Sequence, residues 1–316
     1  MYTTYKPIDS IFPRRSRRAF LNLCMALAVT ERAGAQPAEG PITPVGVAAA
    51  PDLSYRELAL DGQHGNRRAL VLSPAHGPPG ATYPGLLLFH GLGEANDAEL
   101  GMHAWRTSYG LSESYSRLRR APLALSAEQA SFILKPQLDA LNAALAAKPF
   151  TGMVVICPVT PNPRRQGDSA HVLDGYSEWI EHTLLPAARA QAPLDAGRGI
   201  GVDGCSLGGY VAAEVFARKP ELFRSFGVVQ PAFGEFRVAR YAGHLARALR
   251  SKSLSGIHLQ TSTGDPYREA TRALGRQLER LDARFTLDVL PGPHDQRWLR
   301  ATGTLAMLAW HHLTLG

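Results

Sequence analysis

The stretch GIGVDGCSLGGYVAAEVFARKP, residues 199–220, decides how the rest of the chain is read. A short apolar run ends at Gly204, an alanine-rich run begins after Gly209, and Ser206 stands between them with Gly204, Gly208 and Gly209 close around it. Run lengths of this kind imply a buried strand turning directly into a helix that begins near Leu207. Glycine at 204 and 208 implies that the turn brings backbone closer than a Cβ would allow. Ser206 is then expected in a strained conformation at a helix N-terminus, where free N–H groups and the helix dipole favour negative charge. The spacing is that of the Gly-x-Ser-x-Gly nucleophile elbow, written here Gly204-Cys205-Ser206-Leu207-Gly208.

Working outward, strand-like runs alternate with helical ones. SYRELAL and RRALVLS read as an initial antiparallel pair, followed by GLLLFHG (85–91), GMVVICP (152–158), SFGVVQP (225–231), GIHLQTS (256–262) and RFTLDVL (284–290). Several are apolar almost throughout, as strands covered on both faces are. Between them, helical stripes recur: Leu138, Leu141 and Leu145; Tyr176, Trp179, Ile180 and Leu184; Val238, Tyr241, Leu245 and Leu249; Leu274, Leu278 and Leu281; Trp298, Leu305, Leu308 and His312. The alternation predicts an α/β fold, a mostly parallel central sheet with helices on both faces. Residues 36–52 read as a Pro- and Gly-containing linker, 53–316 as one domain, and about 94–150 as a helical insertion with Trp105, Tyr109, Tyr115 and Phe132, either a lid or pocket wall or simply extra packing.

A nucleophilic serine needs a base and an orienter for that base. Asp265 follows the 256–262 run and His294 follows the last one, so the chain order is Ser206, Asp265, His294. Asp288 lies inside its run, Asp282 and Asp295 belong to helix ends where Asp295 suits a cap, and Asp203 is read as too local to the elbow to support a histidine. His90-Gly91-Leu92-Gly93 closes the 85–91 run, and its small residues let a backbone N–H face the elbow. The N–H groups of Leu92 and Leu207 are therefore the expected oxyanion donors, with His90 shaping the loop. No two of the eleven histidines stand four apart, so no metal is expected. Nor is any cofactor, since no Gly-Lys-Ser/Thr is present and the strand after the elbow ends in Gln230, not an acid for a ribose.

Of the net charge of +7, residues 1–35 carry +4, which leaves +3 for the remaining 281 positions. So thin a surplus argues against a nucleic-acid partner. Ser16-Arg17-Arg18-Ala19-Phe20-Leu21, a short apolar run to Val29 and Ala33-Gly34-Ala35 read as a twin-arginine export signal cut after Ala35, which implies a periplasmic or extracellular location. The apolar run falls short of a membrane span. Cys157 and Cys205 follow different strand runs, make no disulfide scaffold and are expected to stay unpaired.

With HGLG, GCSLGG, TGDPY and GPHDQRW in place, the chain resembles the α/β-hydrolase superfamily, and more narrowly its putative-esterase branch of esterase D-like and feruloyl esterase-like enzymes. The resemblance spans roughly residues 54–316. It departs from the branch in the 94–150 insertion and in Cys205, where His or Trp often precedes the serine. It implies a serine carboxylic-ester hydrolase working through Ser206, His294 and Asp265 on a small or carbohydrate-linked ester. Acyl transfer, peptide hydrolysis and a non-catalytic binding role on the same fold are the alternatives.

Overall fold

A computed structural model describes residues 51–61, 67–126, 129–165 and 169–316. The expected export signal and all of the linker before Pro51 lie outside these residues. The strands are β1 (Leu53–Leu60), β2 (Arg67–Pro74), β3 (Gly85–Phe89), β4 (Val154–Pro158), β5 (Ile200–Gly204), β6 (Ser225–Val229), β7 (Gly256–Gly264) and β8 (Thr286–Pro293). The helices are α1 (Ala98–Thr107), α2 (Leu111–Arg119), α3 (Lys135–Ala147), α4 (Ser169–Trp179), α5 (Leu185–Gln191), α6 (Leu207–Arg218), α7 (Val238–Arg250), α8 (Arg268–Arg280), α9 (Gln296–Trp298) and α10 (Thr304–Leu315).

The strands form one sheet in the order β1-β2-β4-β3-β5-β6-β7-β8. β2 runs antiparallel to both β1 and β4, and every other neighbour is parallel. Alternation along the central strands splits the core in two. Leu87, Phe89, Val154 and Ile156 face a layer holding Tyr176 and Trp179 of α4, Val211 and Phe216 of α6, Tyr241 of α7 and Leu278 of α8. Leu86, Leu88, Val155 and Cys157 face the other layer, with Met102 and Trp105 of α1, Tyr115 of α2, Leu138 of α3 and Leu308 of α10. Each large side chain so buried contributes roughly 1.5–3 kcal/mol.

The insertion is therefore mainly a packing layer: Trp105 and Tyr115 are fully buried. Two helical stretches read as continuous are each interrupted by a π turn, at Ile180–Leu184 and Leu299–Gly303. Asp52, at the end of the stretch read as linker, is held by Arg119 at 2.8 Å and Arg120 at 2.9 Å.

The connection leaving β3 lies on one face of the sheet and the helix leaving β5 on the other. A crevice opens at such a reversal, beyond the carboxyl ends of the strands. His90, Ser206, Gln230, Asp265 and His294 all follow strand ends on that edge.

Candidate active site

Ser206 has φ 53° and ψ −118° and caps helix α6 at its N-terminus. A positive φ outside glycine costs on the order of 1–3 kcal/mol and persists only where its surroundings impose it. Here the surroundings are backbone. The N–H of Cys205 donates to Phe89 O at 3.2 Å, that of Ser206 to Val229 O at 3.1 Å, and that of Ala232 to Ser206 O at 2.8 Å. A Cβ on Gly204 would stand 2.4 Å from Gly208 O, and one on Gly208 would stand 2.1 Å from Phe89 O. The glycines permit the elbow, as their spacing implies. Gly199, Gly201 and Gly204 also fall at dinucleotide-loop spacing, but Gly201 and Gly204 are strand residues of β5 and Gly199 precedes it, so they form no turn around a phosphate.

The structure brings together the three residues expected to act as a unit. The Ser206 hydroxyl donates to His294 Nε2 at 3.0 Å, and His294 Nδ1–H donates to Asp265 Oδ1 at 2.9 Å. Asp265 also accepts from Thr261 Oγ1 at 2.6 Å and from the Tyr267 N–H at 2.9 Å, which fixes both of its oxygens. The Asp265 side chain is wholly buried, while that of His294 keeps 23% of its surface. This arrangement lets the imidazole take a proton from Ser206 while Asp265 holds its tautomer.

Of the two expected oxyanion donors, Leu207 directly follows Ser206 as the first residue of α6, and Leu92 lies in the loop after β3 and lines a cavity that Ser206 also lines. Among the described residues neither N–H has a protein acceptor. His90 shapes that loop. Its Nδ1–H donates to Gly91 O at 2.9 Å, its Nε2 accepts from the Thr160 N–H at 2.8 Å, and its own N–H donates to Thr160 Oγ1 at 2.8 Å. Burial lowers its pKa, so the ring remains neutral. Burial likewise pushes the Cys205 thiol far up, which leaves Ser206 without a thiolate neighbour. Cys157 and Cys205 are both free and buried, with β3 between their strands.

The cavity over Ser206 and His294 measures about 230 Å³. Its wall holds residues that the sequence did not single out as a site. Glu94, 7% exposed, accepts from the Tyr109 hydroxyl and, at 2.7 Å, from Gln296 Nε2. The same Tyr109 oxygen accepts from the Gly91 N–H at 3.1 Å, so this phenol ties the insertion to the loop after β3. Burial, with Glu94 beside it, pushes that phenol far above its ordinary range and keeps it a neutral donor. Gln230 takes φ 46° and turns the chain back over the elbow. Its Nε2 donates to Pro293 O at 2.9 Å and to Ser262 Oγ at 2.7 Å, which steadies the residue before His294. The signals in the sequence are faint: a glutamate directly after Gly93, an aromatic in an insertion, and a polar residue at a strand end.

The other acids and histidines fall as follows. Asp295 caps α9, accepting from the Trp298 N–H at 2.8 Å. Asp288 pairs with His258 at 2.9 Å, away from Ser206. Asp203, read as too local to support a histidine, does hold one: its Oδ2 lies 3.0 Å from His311 Nε2. The chain passing through β5 turns this side chain away from the elbow, towards α10. Among the described residues two clusters, Glu57–Glu99–His103 and Glu178–Glu181–His182, have metal-like spacing; in each a single cation, Arg68 or Lys219, bridges the two glutamates.

No family model matches the chain, and no curated protein matches it in sequence. Solved structures do. A ferulic acid esterase superposes with a TM-score of 0.61 at 13% identity, covering 84% of this chain and 100% of that one. An S-formylglutathione hydrolase from Agrobacterium tumefaciens gives 0.56 at 15%, covering 85% and 98%. The fluorophosphonate-binding serine hydrolase F of Staphylococcus aureus, solved with substrate bound, gives 0.55 at 14%, covering 83% and 99%. With the strand order and the elbow already described, these likenesses establish the architecture: the chain has the α/β-hydrolase fold.

Proposed function

We propose that the chain is a serine carboxylic-ester hydrolase. The observation that carries this reading is a strained serine at a helix N-terminus, hydrogen-bonded to a histidine that a buried aspartate orients, with serine and histidine both in the wall of one cavity. Ser206 Oγ attacks the ester carbonyl carbon while His294 Nε2 takes its proton. The carbonyl oxygen becomes an oxyanion held by the N–H groups of Leu207 and Leu92. His294 then returns the proton to the leaving alcohol oxygen as the carbon–oxygen bond breaks, and an acyl group remains on Ser206. Water repeats the sequence and frees the acid. Asp265 orients the imidazole and stabilises the imidazolium formed in each half.

Hydrolysis of p-nitrophenyl esters of increasing chain length, with feruloyl and acetyl-sugar esters added, tests this reading and ranks substrates. The expected result is turnover of short activated esters. No turnover of any member by folded protein would overturn it. Export is proposed on Arg17-Arg18 and Ala33-Gly34-Ala35. Amino-terminal sequencing of the protein from its native host should read from Gln36, and a full-length cytoplasmic product would contradict it.

A further inference from the structure

Buried carboxylates in this fold are handled in two ways. Glu214 on α6 is 1% exposed and is met by Arg218 at 2.5 Å, Arg237 at 2.9 Å and Arg240 at 3.0 Å. That is the ordinary means of making a buried charge tolerable. Glu94 is almost as buried, yet its partners are two neutral donors, the Tyr109 hydroxyl and the Gln296 amide, one on each oxygen. Both donors are uncharged, so neither brings the counter-charge that the three arginines bring to Glu214. Among the described residues no Lys or Arg pairs with it, and none lines the cavity, whereas Asp295 adds a second carboxylate to the wall. The loop that carries Glu94 also carries Leu92, and both line the cavity that Ser206 and His294 line.

We infer that Glu94 is a specificity-determining residue: it makes the cavity select esters with a cationic group on the substituent that enters it, and reject anionic ones. The inference rests on the esterase reading. A substrate cation would supply the counter-charge that Glu94 lacks, as three arginines do for Glu214. In a partly desolvated cavity such a pair of charges is worth on the order of tenfold or more in kcat/KM. An anionic substituent would meet two carboxylates and no cation.

Two pairs of isosteres read this directly, one for each side of the ester. On the acyl side, p-nitrophenyl 4-(trimethylammonio)butyrate is compared with p-nitrophenyl 5,5-dimethylhexanoate. On the alcohol side, acetylcholine is compared with 3,3-dimethylbutyl acetate. Each pair differs in charge at nearly constant shape, so the kcat/KM ratio within a pair cancels effects on folding and on the chemical step. The expected result is a cation-to-neutral ratio of about ten or more in at least one pair, falling several-fold in Glu94→Gln. That variant can keep both contacts, since its oxygen accepts from Tyr109 and its amide donates to Gln296 once the latter flips. Should Glu94→Gln not fold, Asp295→Asn, which still caps a helix, should lower the same ratio by a smaller factor. Ratios near one in both wild-type pairs, with the neutral esters hydrolysed, overturn the inference and leave the esterase reading standing. A high ratio that Glu94→Gln does not change overturns the assignment to Glu94. No hydrolysis of any of the four esters overturns both.

Discussion

Among the described residues two chains of Ser, His and Asp run through this molecule, and they differ little in hydrogen-bond length. In the first, Ser206 Oγ is 3.0 Å from His294 Nε2 and His294 Nδ1 is 2.9 Å from Asp265. In the second, Ser225 Oγ is 2.8 Å from His311 Nδ1 and His311 Nε2 is 3.0 Å from Asp203. The second set is fully buried. Ser225 is an ordinary strand residue of β6, and its histidine is turned end for end. Room for it comes from two glycines: a Cβ on Gly201 would stand 2.5 Å from Ser225 Oγ, and one on Gly227 would stand 1.9 Å from Asp203 Oδ2. The first set has a strained elbow, donors with no protein acceptor and a cavity; the second has its bonds inside a closed core. Hydrogen-bond sequence alone is thus no warrant for chemistry. Access and free donors distinguish the two, and the buried set is best understood as a clamp between α10 and the sheet.

The sharpest way to break this contrast is to remove each serine. Ser206→Ala should lower kcat by about 10⁴ or more, whereas Ser225→Ala should leave kcat within roughly twofold for each folded molecule, because nothing it touches reaches substrate. Comparable losses would abolish the distinction. Stability should respond in the opposite sense. His311→Ala strands a buried Asp203 and should cost about 3 kcal/mol in urea unfolding, and Ser225→Ala about 1–3 kcal/mol. His294→Ala, at a partly open site, should cost less than about 1 kcal/mol.

Gln230→Leu sharpens the contrast from the side of the Ser206 set. The Pro293 carbonyl would then be held by Ser262 alone, and kcat should fall about tenfold with KM nearly unchanged, through a less well aimed His294. An unaltered kcat with a lowered melting temperature would make Gln230 a purely structural residue. The smallest effect is one of pH. Burial pushes Asp203 up to about 7 and His311 well below its ordinary value, so the folded pair keeps one proton between them. An unfolded chain also holds one between about pH 4 and 6.5, two below that window and none above it. The pair should therefore destabilise the fold as pH falls below about 4, and again as pH rises from about 6.5 through the folded value. Asp203→Asn should flatten the upper slope in urea titrations across that range, and an unchanged slope would contradict the assignment.

Much of the fold could be read directly because its signals are local. Apolar runs such as those of β3 and β4 have no polar face to confuse them, and the glycines at 204 and 208 flank Ser206 at the spacing of an elbow. The grouping of Ser206, Asp265 and His294 was expected from position, since Asp265 and His294 each come directly after a strand. What sequence could not supply was juxtaposition across the sheet. Asp203 meets a histidine 108 positions away, and Glu94 meets Gln296 across 202. Neither distance leaves a pattern in the chain. Tyr109 reads as one more aromatic of an insertion until the loop after β3 is seen to hang on its hydroxyl. The π turns carry no marker either, because helical periodicity barely changes over a single wide turn.

The central claim, that one of the two sets is nucleophilic and the other inert, is tested most directly by labelling with a fluorophosphonate and locating the adduct by mass spectrometry. One adduct is expected, on Ser206, in the wild-type protein and equally in Ser225→Ala, and none in Ser206→Ala. A folded wild-type protein that takes no label, or a Ser206→Ala protein labelled as fully as wild type, would contradict the account.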